Sequence, residues 1–182
     1  MAQLNEMTIS EFTGVLNYLL DNNKQLEEKG LTPIAIGLEG EAGIGKTTVV
    51  EDIAKKRGMT FCKLSLSQLE EVGDLTGFPM KEVLLKAVWK DKEGKEHTST
   101  KWWPESMLNQ APQGVQVTNT TRMGYATPAW LPREENPNGC ILLLDDYTRA
   151  NSLFMQATME LINTASYISW KLPKNTTVVL EK

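Results

Sequence analysis

Cysteine and histidine are scarce in this sequence. The 182 residues include two cysteines, Cys62 and Cys140, and one histidine, His97. A closed zinc shell takes more Cys and His ligands than these three residues can supply. Both cysteines lie in strand-like apolar runs, which indicates small buried side chains rather than a disulfide. The composition therefore excludes zinc-finger proteins and small disulfide-stabilised folds.

Long apolar runs and a strong excess of one charge are also absent. The longest apolar run, residues 140–144, is about five residues, whereas a membrane-spanning helix needs about 20. Residues 1–9 are polar and lack the pattern of a secretory signal, so we expect a cytoplasmic protein without a membrane segment. The net charge is −4, so the overall balance does not point to a nucleic-acid partner. We expect one soluble α/β domain, since 41% of the residues are hydrophobic.

The first third of the chain predicts a helix followed by a βαβ unit. Thr8 and Glu11 have the spacing of a capping box, and apolar residues follow at helical spacing to about residue 30. A strand at residues 34–38 precedes a glycine-rich loop and a helix from Lys46, and another strand follows at residues 60–66. This order implies a parallel sheet.

The rest of the chain consists of an irregular middle region and a regular C-terminal part. Its middle is broken by glycine, proline and polar residues, and the strongest signal there is a β-hairpin of residues 83–89 and 95–101 around a turn at residues 91–94. Regular structure resumes after residue 139. The predicted elements are a buried strand at residues 140–144, a helix at residues 152–163 capped by Asn151, a hairpin arm at residues 167–172 and a strand at residues 176–180.

Residues 40–47 read Gly-Glu-Ala-Gly-Ile-Gly-Lys-Thr, the G-x-x-x-x-G-K-T pattern of a phosphate-binding loop. Glycines allow backbone N–H groups to turn towards a phosphate, and the following helix aims its partial positive charge at the same oxygens. In this pattern Lys46 reaches the β- and γ-phosphates, and the Thr47 hydroxyl coordinates Mg²⁺. A chance match is the alternative, but the strand–loop–helix setting favours a real phosphate loop. We assign ATP binding to Gly40, Glu41, Ala42, Gly43, Ile44, Gly45, Lys46, Thr47 and Thr48.

Two adjacent acids follow the buried strand. A P-loop enzyme needs a carboxylate at the end of a neighbouring strand to hold the metal ion. Asp145 and Asp146 occupy that position, at the edge where open α/β sheets bind ligands. We predict that Asp145 joins Thr47 in the Mg²⁺ site and that Asp146 orients or deprotonates the attacking water. The alternative is that both acids only cap the loop into the next helix.

The segment around these acids carries a family resemblance. Residues 144–151, Leu-Asp-Asp-Tyr-Thr-Arg-Ala-Asn, resemble the D-E-x-N-R-A segment of AAA+ ATPases in the MoxR-like and dynein-related branch. Residues 73–77, Gly-Asp-Leu-Thr-Gly, are similar to the D-L-x-G segment of that branch, and Leu172-Pro173 precedes the last strand as it does there. The resemblance covers about residues 30–180.

This resemblance implies a three-layer P-loop fold with core strands in the order 5-1-4-3-2, of which four are traceable here. It also implies ATP hydrolysis that drives conformational work on a macromolecular partner, within a homo-hexamer for a complete protein. We expect one AAA+ core over residues 1–182, with an N-terminal helix in residues 1–30. Residues 78–130 would form a hairpin-containing insert that projects from the core.

The sequence departs from the family in two ways. The usual second acid is Glu, whereas this chain has Asp146, and a displacement of about 1 Å can cost about 10²-fold in rate. The sequence also stops before the expected sensor Asn, arginine finger and helical lid domain. For the isolated chain we therefore expect a monomer or weak oligomer that binds ATP and hydrolyses it slowly.

Arg149 and the Trp102–Trp103 pair are more ambiguous. The family resemblance implies that Arg149 contacts a neighbouring subunit or its nucleotide. This role makes Arg149 a third catalytic candidate beside Lys46 and Asp146. The alternative is that Arg149 pairs with a local carboxylate. The tryptophans lie among lysines but also among acids, which favours a solvated hairpin over a nucleic-acid surface.

Two other functions stay open on the residues alone. One is a nucleotide-dependent interaction module without significant hydrolysis, which the shorter second acid allows. The other is a stand-alone P-loop kinase, although the stretch after Asp146 offers only Arg149 where such enzymes use an arginine-rich lid.

Overall fold

A computed structural model describes residues 7–149 and 152–182. Its helices are α1 (Ile9–Glu28), α2 (Lys46–Lys56), α3 (Val72–Thr76) and α4 (Ser152–Thr164). Its strands are β1 (Ile36–Leu38), β2 (Thr60–Ser65), β3 (Pro79–Lys90), β4 (Glu96–Pro104), β5 (Gln116–Tyr125), β6 (Cys140–Asp145), β7 (Ser166–Tyr167), β8 (Trp170–Lys171) and β9 (Thr176–Glu181). Ala150 of the family segment and Asn151, the predicted cap of α4, lie outside the described residues.

Four parallel strands form the central sheet, in the order β1-β9-β6-β2. With β9 as the fourth core strand and β6 as the third, this is the 1-4-3-2 part of the order that the family resemblance implies. The predicted α/β class with a mostly parallel sheet is confirmed.

The central strand β6 explains why the sheet has helices on both faces. Leu142 and Leu144 pack into a core with α4, whereas Ile141 and Leu143 pack into a core with α1 and α2. All four side chains are at most 1% exposed. Because successive side chains of a strand point to opposite faces, a continuous apolar run requires cover on both sides, and the helices provide it in three layers.

Helix α1 begins as the capping-box spacing predicts. The backbone N–H of Thr8 donates to Glu11 Oε2 at 2.8 Å, and the backbone N–H of Glu11 donates to Thr8 Oγ1 at 3.3 Å. These reciprocal bonds satisfy two N–H groups that a helix start otherwise leaves without partners. The helix then buries Leu16 and Leu20 against the sheet.

A second, antiparallel sheet has the order β4-β3-β5. The predicted hairpin is present: β3 and β4 pair from Glu82 with Pro104 to Lys90 with Glu96. Strand β5 was not predicted, because most of its residues are polar and exposed and give no apolar alternation. At the turn of this hairpin the His97 ring stacks on Trp89, and its Nε2 lies 2.8 Å from Asp91 Oδ2.

The segment similar to D-L-x-G joins the two sheets. The Asp74 carboxylate accepts backbone N–H bonds from Glu70 and Glu71 at 3.1 and 3.0 Å. Gly77 has φ +82°, and a Cβ there would lie 1.7 Å from the carbonyl oxygen of Ala126. Only glycine allows the chain to pass so close to the end of β5.

The region predicted as one hairpin arm, residues 167–172, is instead a small hairpin in which β7 pairs with β8. Trp170 explains its position, because this side chain is 7% exposed and its Nε1 donates to the carbonyl oxygen of Thr76 at 2.8 Å. Ser169 Oγ also accepts from the N–H of Tyr125 at 2.6 Å. These bonds fix the base of the antiparallel sheet to the core.

Candidate nucleotide-binding site

The glycine-rich loop connects β1 to the first turn of α2. Gly43 and Gly45 have φ +83° and +89°, in the left-handed region that favours glycine. A Cβ on either residue would meet no other atom within 4 Å, so the requirement for glycine is conformational rather than a matter of space. Gly45 is the N-cap of α2 and has no side chain to accept from the first N–H groups of the helix. These N–H groups and the helix dipole favour an anion at this point.

Lys46 is turned back onto its own loop. Its Nζ donates to the carbonyl oxygens of Gly40 and Glu41, each at 3.0 Å, and lies 3.7 Å from Glu181 Oε1. The side chains of Lys46 and Glu181 are only 8% and 9% exposed. An ammonium group is therefore held, out of bulk water, inside the loop that the sequence pattern assigns to phosphate.

Thr47, the next residue of α2, meets the same carboxylate. Its hydroxyl donates to Glu181 Oε2 at 2.8 Å. The two functional side chains of the loop thus converge on one residue at the end of β9. The pairing of Thr47 with Asp145 as metal ligands stays a prediction.

The paired acids lie at the C-terminal end of β6, as predicted from their position in the sequence. Asp145 Oδ2 is 2.7 Å from Lys63 Nζ, and Asp145 Oδ1 accepts from the backbone N–H of Asp146 at 2.9 Å. Asp146 has φ +55° and accepts from Ser67 Oγ at 3.0 Å. Positive φ is uncommon for a residue other than glycine and often marks a functional turn.

Lys63 contributes a second cation to this edge of the sheet. The hydrogen bond that Lys63 donates to Asp145 raises the pKa of the Lys63 ammonium, and the charges of Glu181 and Asp146 act in the same direction. Lys63 lies on β2, which pairs with β6 so that Ser65 is opposite Asp145. The site therefore contains three carboxylates and two ammonium groups near the ends of three parallel strands.

Sequence reasoning missed Glu181 and Lys63. Glu181 ends an apolar strand just as Asp145 does, and that shared pattern could have revealed it. Lys63 is the one charged residue in the strand predicted at residues 60–66. A lysine in a buried strand usually has an ionic partner, and this expectation could have pointed to it.

Arg149 closes a 3-10 turn, Tyr147–Arg149, directly after the acids. Its catalytic role stays a prediction.

An open cavity of about 800 Å³ borders the phosphate loop. Its lining includes the apolar side chains of Met7, Leu38, Ile44, Tyr147 and Leu180 and the charged side chains of Glu39, Glu41, Glu181 and Lys182. Met7 and Ile44 are 49% and 51% exposed, which leaves apolar surface available at the rim. Cavities of this size with a few polar groups at one end are typical of small-molecule sites.

Metal ligands are sparse in the described part of the chain. Within residues 7–149 and 152–182, no group of three or more His, Cys, Asp or Glu side chains is arranged to hold a metal ion. Protein Mg²⁺ sites commonly use one or two carboxylates together with phosphate oxygens of a substrate. A metal at this edge would accordingly depend on a bound nucleotide for part of its coordination.

The sequence profile of the ATPase family associated with various cellular activities (AAA) matches residues 36–153, which is more than half of the chain. The chain belongs to the AAA family. The matched segment contains the phosphate loop and both acids of β6, whereas Glu181 lies beyond it. An AAA domain is a nucleotide-binding ATPase domain, in agreement with the loop and the parallel sheet described above.

No curated protein matches the sequence significantly. Among solved structures, a mutant of RuvB from Thermotoga maritima is similar, with a TM-score of 0.46 and 16% sequence identity. The alignment covers 92% of this chain and 36% of that one, so the AAA chain spans little more than a third of that protein's length. Each helix in the described ranges is too short or too polar to cross a membrane.

Proposed function

We propose that this AAA domain binds ATP with Mg²⁺ at residues 40–48, hydrolyses it, and uses the cycle to remodel a macromolecular partner in the cytoplasm. We assign it to the MoxR-like branch, because residues 144–151 and 73–77 resemble the segments that distinguish that branch. The domain boundaries expected from the sequence, with an insert at residues 78–130, are part of this proposal.

The observation that carries the proposal is the convergence of Lys46 and Thr47 at the sheet edge that bears Asp145. A buried ammonium and a hydroxyl at a helix N-terminus form a recognition site for the phosphates of a nucleotide. The donors reach this point because α2 begins directly after the loop, while β6 and β9 end beside it in parallel. The apolar cavity next to the loop provides space for a nucleoside.

The residues present fit both Mg²⁺ and ATP. Gly43 and Gly45 leave open space along the loop, and the hard oxygen donors of Thr47 and Asp145 are the kind that Mg²⁺ prefers. When bound, the metal ion would neutralise charge on the phosphate oxygens. Asp145 would have to exchange its bond with Lys63 for the metal site.

Asp146 is the residue we propose to orient or deprotonate the attacking water. Its positive φ and the hydroxyl of Ser67 hold its carboxylate at the sheet edge. Arg149 is proposed to act on a neighbouring subunit within a homo-hexameric ring of the complete protein, where an arginine supplied in trans can contribute about 10³–10⁵ in rate.

A second candidate function is nucleotide-dependent binding without significant hydrolysis. Lys63 neutralises Asp145 at 2.7 Å, and the second acid is the shorter Asp146 rather than Glu. Both features weaken the groups that the chemical step needs, whereas neither affects the loop that holds the nucleotide.

The variant Lys46→Ala tests nucleotide binding. Removing the buried ammonium should weaken the affinity for a non-hydrolysable ATP analogue about tenfold or more, measured by titration calorimetry with MgCl₂. Lys92→Ala, in the exposed turn of the β3–β4 hairpin, is the matched control and should bind like the wild type. Equal affinity in all three proteins would show that the loop does not bind nucleotide. Single-turnover phosphate release from ATP then separates hydrolysis from binding alone.

A further inference from the structure

Glu181 is a buried carboxylate in a site that is otherwise arranged for anions. It ends β9, it is 7% exposed, and it lies on the strand between β1 and β6. Its two oxygens face the two functional side chains of the phosphate loop: Oε2 accepts from Thr47 Oγ1 at 2.8 Å, and Oε1 lies 3.7 Å from Lys46 Nζ. Neither the phosphate-loop pattern nor the matched segment, residues 36–153, includes this residue.

These contacts create a conflict for an incoming polyphosphate. A phosphate that accepts from Lys46 would lie within a few ångströms of the Glu181 carboxylate, and the side chains of Lys46 and Glu181 are largely removed from bulk water. Like charges repel strongly at this separation when solvent screening is poor. A divalent cation bound together with the phosphates would offset this repulsion.

The other acids at this edge of the sheet would repel a phosphate bound to Lys46 less strongly, because each has a different partner. Asp145 is paired with Lys63 at 2.7 Å, and Asp146 accepts from Ser67. Glu39 pairs with Lys182 at 2.7 Å, and 51% of its side chain is exposed. Glu181 is therefore the carboxylate whose charge acts most directly on Lys46.

We propose that Glu181 makes nucleotide binding by this chain depend on a divalent cation. In the absence of the cation, Glu181 holds Lys46 and Thr47 and disfavours the phosphates; in its presence, the carboxylate is compatible with them. The inference rests on the proposed nucleotide site and adds a residue that determines which form of the nucleotide, free or metal-bound, the site accepts.

The test compares nucleotide affinity with and without metal in the wild type, Glu181→Gln and Glu93→Gln. Titration calorimetry would measure binding of a non-hydrolysable ATP analogue in MgCl₂ and in EDTA. Glu181→Gln keeps an acceptor for the Thr47 hydroxyl but removes the charge. Its affinity in EDTA should rise about tenfold or more, while its affinity in MgCl₂ changes by less than about threefold. Glu93→Gln removes the same charge in the exposed turn of the β3–β4 hairpin and should keep the wild-type ratio of the two affinities.

Two results would overturn the proposal. One is a Glu181→Gln variant with the wild-type ratio of affinities; the other is a variant whose main change is a loss of affinity in MgCl₂, since Glu181 would then support the bound state. Glu181→Ala provides a second neutral side chain should the amide variant fail to fold, as checked by circular dichroism. A wild-type chain without measurable affinity in either buffer would overturn the proposed function and, with it, this inference.

Discussion

The two sheets of this chain place their polar side chains differently. In the parallel sheet, Asp145 and Glu181 follow apolar runs and lie beside each other because β6 and β9 end at the same edge. In the antiparallel sheet, polar residues such as Thr98 and Thr100 are spread along the strands and exposed. Adjacent parallel strands all end at the same edge, so a sheet of this kind can collect charges from distant segments into one site.

Buried charge is also handled differently in the two sheets. Glu82 of β3 accepts from Arg122 Nε at 2.7 Å, and the Arg122 guanidinium lies 4.4 Å from the centre of the Trp102 ring. The Glu82–Arg122 ion pair links the neighbouring strands β3 and β5 and neutralises the charge of Glu82. In the parallel sheet, by contrast, the partners of Glu181 and Asp145 are the same groups that a nucleotide or metal ion would engage.

Changing two acids at the parallel sheet and one in the antiparallel sheet to their amides sharpens this comparison, and we expect the largest effect here. Asp145→Asn should weaken Mg²⁺-dependent nucleotide binding about tenfold or more, because it removes charge from the metal site. Asp146→Asn should retain binding but lower turnover about 10²-fold, since its carboxylate acts in the chemical step. Glu82→Gln should change neither quantity. Calorimetry and steady-state phosphate release would measure the two effects.

The division of roles between the paired acids can be contradicted in two ways. Equal loss of nucleotide affinity in Asp145→Asn and Asp146→Asn would argue that both acids hold the metal ion. A comparable loss in Glu82→Gln would mean that acid-to-amide changes disturb the fold in general, and thermal unfolding of all three variants would reveal this.

Matched valine substitutions compare the packing of the two sheets. Val179 of β9 is 0% exposed between β1 and β6, whereas Val88 of β3 is 41% exposed. Val179→Ala removes buried methyl groups and leaves a cavity, so the free energy of unfolding should fall by about 2–3 kcal/mol. Val88→Ala should lower it by less than about 1 kcal/mol. Urea unfolding measures both; similar losses would mean that the face of β3 carrying Val88 is covered in solution.

The parallel sheet could be predicted from the sequence because a strand that is buried on both faces is a continuous apolar run. Residues 141–144 are all apolar, and an acid marks the point where the strand reaches solvent. The phosphate loop was visible for a similar reason, since its glycines and Lys46 serve a backbone conformation and a charge that few other residues provide. Strand β5 has no recognisable sequence pattern, because its residues alternate neither in polarity nor in burial.

The partners within the site could not be predicted from local patterns. The contact of Glu181 with Thr47 joins residues that are distant in the chain, and it exists because β9 lies between β1 and β6. The Lys63–Asp145 pair likewise depends on the register that sets Ser65 opposite Asp145. Strand order and register arise from the packing of the whole sheet, so these contacts follow from tertiary structure alone.

The smallest expected effect concerns the alkaline stability of the parallel sheet. Burial raises the pKa of the Cys140 thiol from 9.0 to about 12, and Cys140 is 2% exposed in β6. Between these two pKa values the unfolded chain loses the thiol proton and the folded chain keeps it. The contribution to stability is thus fully present below pH 9 and is lost as the pH rises towards 12. At pH 10 this loss should be about 1 kcal/mol.

The variant Cys140→Ala isolates this contribution. The variant will be less stable than the wild type at every pH if the thiol packs well, but its free energy of unfolding should fall less between pH 7.5 and pH 10. The difference between the two slopes, measured by urea unfolding, reports Cys140 alone, because the lysines, the tyrosines and Cys62 titrate in both proteins. Parallel pH dependences would mean that the thiol ionises equally easily in the folded and unfolded chains, and that water reaches this end of β6.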